Sequence, residues 1–291
     1  MTNPTFRHAF ASRTIDPLFF VGSIIGSLVF PADADAPNWD GWSPLLNWDD
    51  VTVGNLNTIQ TEAESAGKMI SLEVCGTNHP NAAAFSSSPD FAATDWWDDY
   101  ETMLNVVATN LGDSENFVEF VTPSFGNQPV PEPFNFSISE VTSLEAGAPW
   151  YSQAVVEGFA HRAAEIAQEI LGSDVVVRVN IDPLSRSDTD DEAVPEIDRF
   201  IASSIRLGSY SVYATAGETR QAALGLLTQA KNRNRIDGFA ATPSRLLPSF
   251  AGDAVTRIQA CLDAGADQVI LGTDGAATLW TDAAVVAAFG S

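Results

Sequence analysis

Four carboxylates stand where a surface role does not explain them: Glu73, Glu119, Asp182 and Asp274. Glu73 lies within MISLEVC and Glu119 within FVEFVT, each embedded in apolar sequence, while Asp182 and Asp274 come at the C-terminal ends of β-rich runs, in NIDP and GTDG. Carboxylates in unlike surroundings can divide labour. One, kept protonated by burial or a like charge, serves as acid, and another, ionised beside a cation, serves as base or nucleophile. Arg178, in VVRVNID, is the cation whose position fits that group. Asp182 with Glu119 forms the leading pair for hydrolysis, and Glu73 or Asp274 supports it. The same residues also fit a structural use, in which Arg178 neutralises Glu73 or Glu119 inside the fold.

Aromatic residues supply the second signal. Trp39, Trp42 and Trp48 fall in one stretch, Trp96 and Trp97 in another, and Trp150 precedes Tyr151. Flat rings among Asp and Asn suit sugars, because rings stack on the apolar face of a sugar while carboxylates and amides bind its hydroxyls. The expected substrate-binding set is Arg178, Asn180, Tyr213, Trp39, Trp42, Trp96, Trp97 and Trp150. The alternative is that these tryptophans pack long loops onto the fold or against another chain.

The elements that would position these groups follow a regular rhythm of short β-rich runs and longer helical patterns. Strands are expected over 18–25, 69–75, 117–122, 175–181, 209–215, 238–242 and 268–272. Helices are expected over 55–66, 95–111, 150–171, 195–207, 218–232, 252–264 and 281–289. Gly67, Gly112 and Gly172 stop the first three. Strands that alternate with helices of this length pair in parallel through right-handed crossovers.

Seven strand–helix units are clear in the sequence. An eighth, hidden in 134–138 or in the first fifty residues, would complete a (β/α)8 TIM-barrel-like fold. An open doubly wound sheet is the competing architecture, but the first strand carries GSIIG rather than a dinucleotide-binding glycine turn. Several strands alternate in polarity. Val177, Val179 and Ile181 oppose Arg178, Asn180 and Asp182; Ile70, Leu72 and Val74 oppose Ser71, Glu73 and Cys75; Glu119 runs in phase with Phe117 and Val121. In a barrel one face meets the helices and the other points into the lumen, so the polar sets converge on the axis. Asp182 and Asp274 then sit at C-terminal strand ends, where barrel enzymes place their chemistry. The domain reading is an N-terminal arm, 1–17, and a single barrel domain, 18–291, with long loops at 30–50, 76–94 and 124–149.

Other chemistries find little support. His8, His79 and His161 belong to no paired ligand motif, so no metal site is expected, and no cofactor signature is present. The acidic run SDTDDE at 187–192 lacks the glycine and register of an EF-hand. Lys68 and Lys231 are not at strand ends, which disfavours Schiff-base chemistry, and GxSxG and CxxC are both absent. The glycine-containing LGTDGA at 271–276 superficially suits a phosphate, but Asp274 would repel one and no cation adjoins it. Cys75 and Cys261 have no metal spacing and read as buried thiols. The apolar run 18–30 is too short to span a bilayer, and its flanking Asp16 and Pro17 favour a buried strand over a signal-like segment.

Charge describes the solvent. Asp and Glu number 38 against 14 Lys and Arg, two of which are lysines, for a net charge of −24. Such self-repulsion is best tolerated where salt screens it, and hydrated carboxylates suit concentrated salt better than long lysine stems. The composition resembles that of proteins from extremely halophilic archaea, which implies a high-salt setting, either haloarchaeal cytoplasm or a virion or cell surface. With its arginines scattered from Arg7 to Arg257, the chain is not expected to bind nucleic acid.

Two functional expectations follow. One is a halophilic hydrolase acting through a carboxylate pair on a glycan or similar polyhydroxylated substrate. The other is a non-catalytic structural or receptor-binding barrel of a haloarchaeal virus or cell-surface assembly, oligomeric, with protein partners meeting its Trp-rich loops and N-terminal arm.

Overall fold

The computed structural model describes residues 17–22, 26–31, 39–75, 96–122, 163–181, 209–212, 224–225, 227–229, 231–232, 238–241, 253–274 and 277–290. The expected helix over 195–207, the loops 76–94 and 124–149, the acidic run 187–192 and arm residues 1–16 lie outside them.

All the long strands run parallel. They are β1 (Leu18–Gly22), β2 in two pieces (Gly41–Ser43 and Leu45–Asn47) that flank Pro44, β3 (Met69–Cys75), β4 (Phe117–Val121), β5 (Val176–Ile181), β6 (Ser209–Val212), β7 (Gly238–Ala241) and β8 (Gln268–Leu271). Each pairs with the next in sequence, and β8 pairs back onto β1, with Phe20 opposite Ile270. The eight strand positions therefore close into a ring. The chain is a (β/α)8 barrel. The strand that the sequence leaves unplaced is β2, inside the stretch 30–50 expected to be one long loop. Pro44 disguises it: proline cannot donate to a ladder and interrupts the strand pattern, yet its carbonyl still accepts from the Glu73 amide at 3.0 Å.

The outer layer includes α1 (Val53–Ala66), α2 (Trp96–Leu111), α3 (residues 163–171), α4 (Ala254–Asp263) and α5 (Ala283–Phe289). Helix α1 starts earlier than its apolar pattern suggests because the Thr52 side chain caps it, accepting from the Asn55 amide at 3.3 Å. It ends at Gly67, whose φ of 64° is the left-handed conformation that a side chain resists. The outer face of β1 and β2 is covered largely by rings. Phe19 meets Trp39 and Phe289, Phe30 meets Trp42 edge-on, and the Trp39 indole N–H donates to the Trp280 carbonyl at 3.3 Å.

The two lysines do the same job in two places. Lys68 donates to the Trp39 carbonyl at 2.6 Å and lies over the Phe30 ring; Lys231 donates to the Gly265 carbonyl at 2.8 Å and lies over Phe239. Lys231 also pairs with Asp267 at 2.5 Å, and Asp267 accepts from the Phe239 amide at 3.1 Å. Both lysines thus pin backbone carbonyls near the N-terminal ends of strands, with their stems over aromatic carbon. This explains why a chain so poor in lysine carries these two.

Candidate active site

The lumen is built in layers from the bottom up. At the N-terminal end Leu18, Phe20, Met69 and Val118 form an apolar cluster of their own, separate from the helix-side core. The Phe20 ring lies across Gly41, so that a Cβ there would stand 2.3 to 2.8 Å from three ring carbons. This cluster is the floor.

A charged layer rests on it. Glu119 and Arg178 are both fully buried, and their side chains meet at 2.9 Å. Ser71 donates to the same Glu119 oxygen at 2.5 Å and accepts from the Arg178 guanidinium at 3.3 Å. Gln268, also fully buried, turns its carboxamide to Glu119 from the far side of the ring; with its nitrogen facing the carboxylate it donates at 3.1 and 3.2 Å. Donors from β3, β5 and β8 thus converge on one acceptor from β4. Each charge has its counter-charge, which is the condition for burying either.

A β-bulge makes this possible. The β3–β4 register slips between Ile70 and Ser71, so that Phe117 and Phe120 both join the helix-side core while Val118 joins the lumen floor. The extra residue turns Glu119 inward. Glu119 and Phe117, expected to share a face, therefore do not.

Above this layer exposure returns. Glu73 is two residues beyond Ser71 on the same face of β3 and is half-buried, as is Gly22 two residues beyond Phe20. Leu72 and Val74 point the other way, into the helix-side core. Among the expected acids whose side chains are described, Glu119 and Glu73, Glu73 is the one toward the C-terminal mouth of the lumen with access to solvent.

The other expected site residues fall differently. Trp39 and Trp42 are buried, at 1% and 0% exposure, so their rings fill the barrel wall and are not available as sugar platforms. Trp97 is also buried, against Tyr100, which in turn adjoins Trp48. The Tyr100 hydroxyl donates to the Ala163 carbonyl at 3.1 Å, and burial raises its pKa. Trp96 opens α2 and Asn180 lies in β5 opposite Ser211, but their side chains are outside the described set. Asp182, Tyr213 and Trp150 lie outside the described residues.

Within LGTDGA, Thr273–Asp274 (β9) pairs antiparallel with Ala277–Thr278 (β10). The following helix N-terminus is already filled by the Asp282 carboxylate, which accepts from the Ala284 and Val285 amides. Among the described residues no group of His, Cys, Asp and Glu could hold a metal ion, and no helix is long and apolar enough to cross a membrane. Cys261 is buried in the core, and the side chain of Cys75 is outside the described set.

Sequence reasoning missed Gln268 as a partner of Glu119. The signal was present: a polar residue opening the apolar strand QVIL, in phase with lumen-facing Ile270.

No protein-family model and no curated protein matches the sequence. Solved structures do resemble the fold. A GH10 endoxylanase from a sugarcane soil metagenome is similar with a TM-score of 0.53 at 12% identity, over 91% of this chain and 86% of that one. A GH26 β-mannanase from Bacteroides ovatus gives 0.52 at 13% identity, over 92% and 84%. A psychrophilic family 10 endo-β-1,4-xylanase gives 0.50 at 11% identity, over 92% and 89%. At such identities the likeness establishes the barrel and nothing finer.

Proposed function

We propose that this barrel is a hydrolase acting on a glycan or similar polyhydroxylated substrate at its C-terminal mouth, with Glu73 as one of the two working carboxylates. The observation that carries this reading is the placement of Glu73: half-buried, facing the lumen, directly above a sealed layer whose charges cancel. A carboxylate so placed is reachable by substrate yet partly withdrawn from water, the setting that tunes an acid or base. Its counterpart is Asp182 or Asp274, which come in sequence just beyond Val176–Ile181 and Gln268–Leu271. Glu119, held by three donors below, supports the site and does not touch substrate. The polysaccharide-acting barrels that the fold resembles, a β-mannanase and two xylanases, favour this substrate class by analogy. The acidic coat fits work in concentrated salt: among the described acids Glu119 and Asp267 are buried, each against a cation, while the helix acids Glu101, Glu165, Glu169 and Asp263 are exposed.

The test is release of reducing ends from a panel of polysaccharides, including mannan and xylan, in molar KCl. The wild-type chain should hydrolyse at least one, and Glu73→Gln should lose at least about 100-fold in kcat with an unchanged melting profile. Activity retained in Glu73→Gln would remove Glu73 from the chemistry, and an inactive wild-type chain would sink the enzymatic reading.

A second reading draws on the same lumen. The Glu119–Arg178 pair is sealed, and Trp39 and Trp42 are spent on the wall. That is also what a non-catalytic barrel would show, built into a haloarchaeal virion or cell-surface assembly as an oligomer. It predicts glycan or partner binding without turnover.

A further inference from the structure

We infer that Gly22 is a specificity-determining residue: by carrying no side chain it keeps open, in the lumen layer of Glu73, the space that the substrate ring occupies. This rests on the proposal that the mouth acts on a glycan, but one arm of its test needs no activity. Lumen residues at one height of a barrel come from alternate strands. Phe20 (β1), Ser71 (β3), Arg178 (β5) and Ala240 (β7) share one height, and all four are buried. Two residues further along, the same strands bring Gly22, Glu73 and Asn180 to the next such height. Between the two stand Ser43 from β2, Val121 from β4 and Ile270 from β8, also buried. Toward the mouth, the lumen thus passes from sealed to open at Gly22 and Glu73, both half-buried.

Strand β1 fills the lower lumen with Leu18 and Phe20 and then carries glycine. Glycine weakens a strand, so its presence in a ladder marks a bulge or a place where backbone or ligand comes close. Two other glycines of the described strands have an occupant from the chain itself. A Cβ at Gly41 would run into the Phe20 ring, and one at Gly238 would stand 2.5 Å from an Asp267 carboxylate oxygen. At Gly22 the nearest described atom is a side-chain methyl, Ile270 Cγ2, at 3.0 Å, and backbone atoms of Leu271 and Gly272 lie at 3.5 and 3.8 Å, ordinary contact distances. Nor is its φ left-handed, as those of Gly26, Gly67, Gly172 and Gly265 are. Neither backbone conformation nor a rigid described neighbour requires glycine there, which leaves room for a ligand as the reason. Gly22 and Glu73 flank β2, two strand spacings or about 9 Å apart. Ser43 lies beneath the gap, with apolar Val121 and Ile270 to either side, a floor that suits the carbon face of a sugar ring.

The experiment uses the full chain in molar KCl and has two arms. In the first, Gly22→Cys is introduced into the Cys75→Ser chain, whose other thiol, Cys261, is buried, and the native protein is mixed with dithiodipyridine. The introduced thiol should react promptly, while the parent chain reacts only on unfolding. A thiol as slow as the parent's means that the space is filled, and it overturns the inference. In the second arm Gly22→Ala and Gly22→Val are compared with wild type on mannan and xylan. One methyl in a fitted pocket changes discrimination by about 10- to 200-fold. The kcat/KM should therefore fall about 10-fold in Gly22→Ala and at least about 100-fold in Gly22→Val. Val is a better strand residue than Gly, so the melting temperature should be no lower. Activity lost together with a lowered melting temperature would mark a packing residue and overturn the inference. Activity kept in Gly22→Val overturns it too while leaving Glu73 as the hydrolytic acid, and if that variant does not fold, activity kept in Gly22→Ala does the same. If wild type turns over neither polysaccharide, retention in native gels cast with each replaces kcat/KM. Retention that slows the thiol reaction and is lost in Gly22→Val upholds the inference without the hydrolase, whereas retention kept in that variant, or none in wild type, overturns it.

Discussion

Replacing Glu119 by Gln should cost this protein far more than the loss of one hydrogen bond. In the native barrel the Glu119 carboxylate is fully buried and accepts from Ser71, Arg178 and Gln268. Gln keeps the size and one acceptor oxygen, but it takes from the fully buried Arg178 guanidinium the carboxylate charge that meets it at 2.9 Å. Removing one member of a buried pair typically costs about 3 to 5 kcal/mol, because the remaining charge keeps its full desolvation penalty. The intact pair contributes much less than that, so Glu119→Met/Arg178→Met, which replaces both charges with apolar side chains, should lie within about 2 kcal/mol of wild type. The cycle closed by the single variants Glu119→Met and Arg178→Met should therefore show a coupling of at least about 3 kcal/mol. For a chain of this length the unfolding entropy is roughly 0.6 kcal/mol per kelvin, so a loss of about 4 kcal/mol lowers Tm by roughly 6 °C. Urea and thermal melts in molar KCl, followed by circular dichroism, read both quantities. A Glu119→Gln loss below about 1 kcal/mol, or additive effects in the cycle, would refute the picture of a sealed and mutually dependent pair.

Two further outcomes are expected. Gly41→Ala should lose about 1 to 3 kcal/mol in the same melts, since the new methyl must displace the Phe20 ring from the lumen floor, and an unchanged midpoint would show that the floor yields. Asp267 has its carboxyl pushed above the ordinary range by burial, with Lys231 and the Phe239 amide opposing. The folded state therefore holds this proton more tightly than the unfolded chain. Its stabilising contribution is full below the ordinary carboxylate value and is lost as pH rises through the raised one. Asp267→Asn should accordingly gain on wild type as pH is raised across that window in urea melts, and the opposite slope would show that Lys231 outweighs burial.

Much of the architecture is legible in the residues. The alternation of β-rich runs with helical patterns gave parallel strands and a barrel, and strands such as Met69–Cys75 and Val176–Ile181 fall where their patterns end. The polar phase of Ser71, Glu73 and Arg178 marks an ionisable layer inside the ring. Two local devices escaped. Pro44 split β2 and hid the closing strand, since a period-two pattern cannot be read across three-residue pieces. The slip in β4 breaks the alternation that in sequence puts Glu119 in phase with Phe117.

The sequence by itself determined the barrel, the pair of strand acids of which one could be sheltered and the cation that could shelter it, because periodicity and burial preference are local properties of a chain. Which acid is sealed and which remains open to solvent was decided only by tertiary structure. Glu73 and Glu119 look alike in sequence, each a lone carboxylate in an apolar strand. A one-residue bulge turns Glu119 into the layer where Arg178, Ser71 and Gln268 meet, three residues distant in the chain and from three different strands. Glu73, one layer nearer the mouth, keeps access to water. The same distinction settled the tryptophans. A ring in a polar stretch can serve a sugar or a core, and only the packing of Trp39 against Phe19 and the Trp280 carbonyl, and of Trp42 against Phe30, assigned the two to the wall.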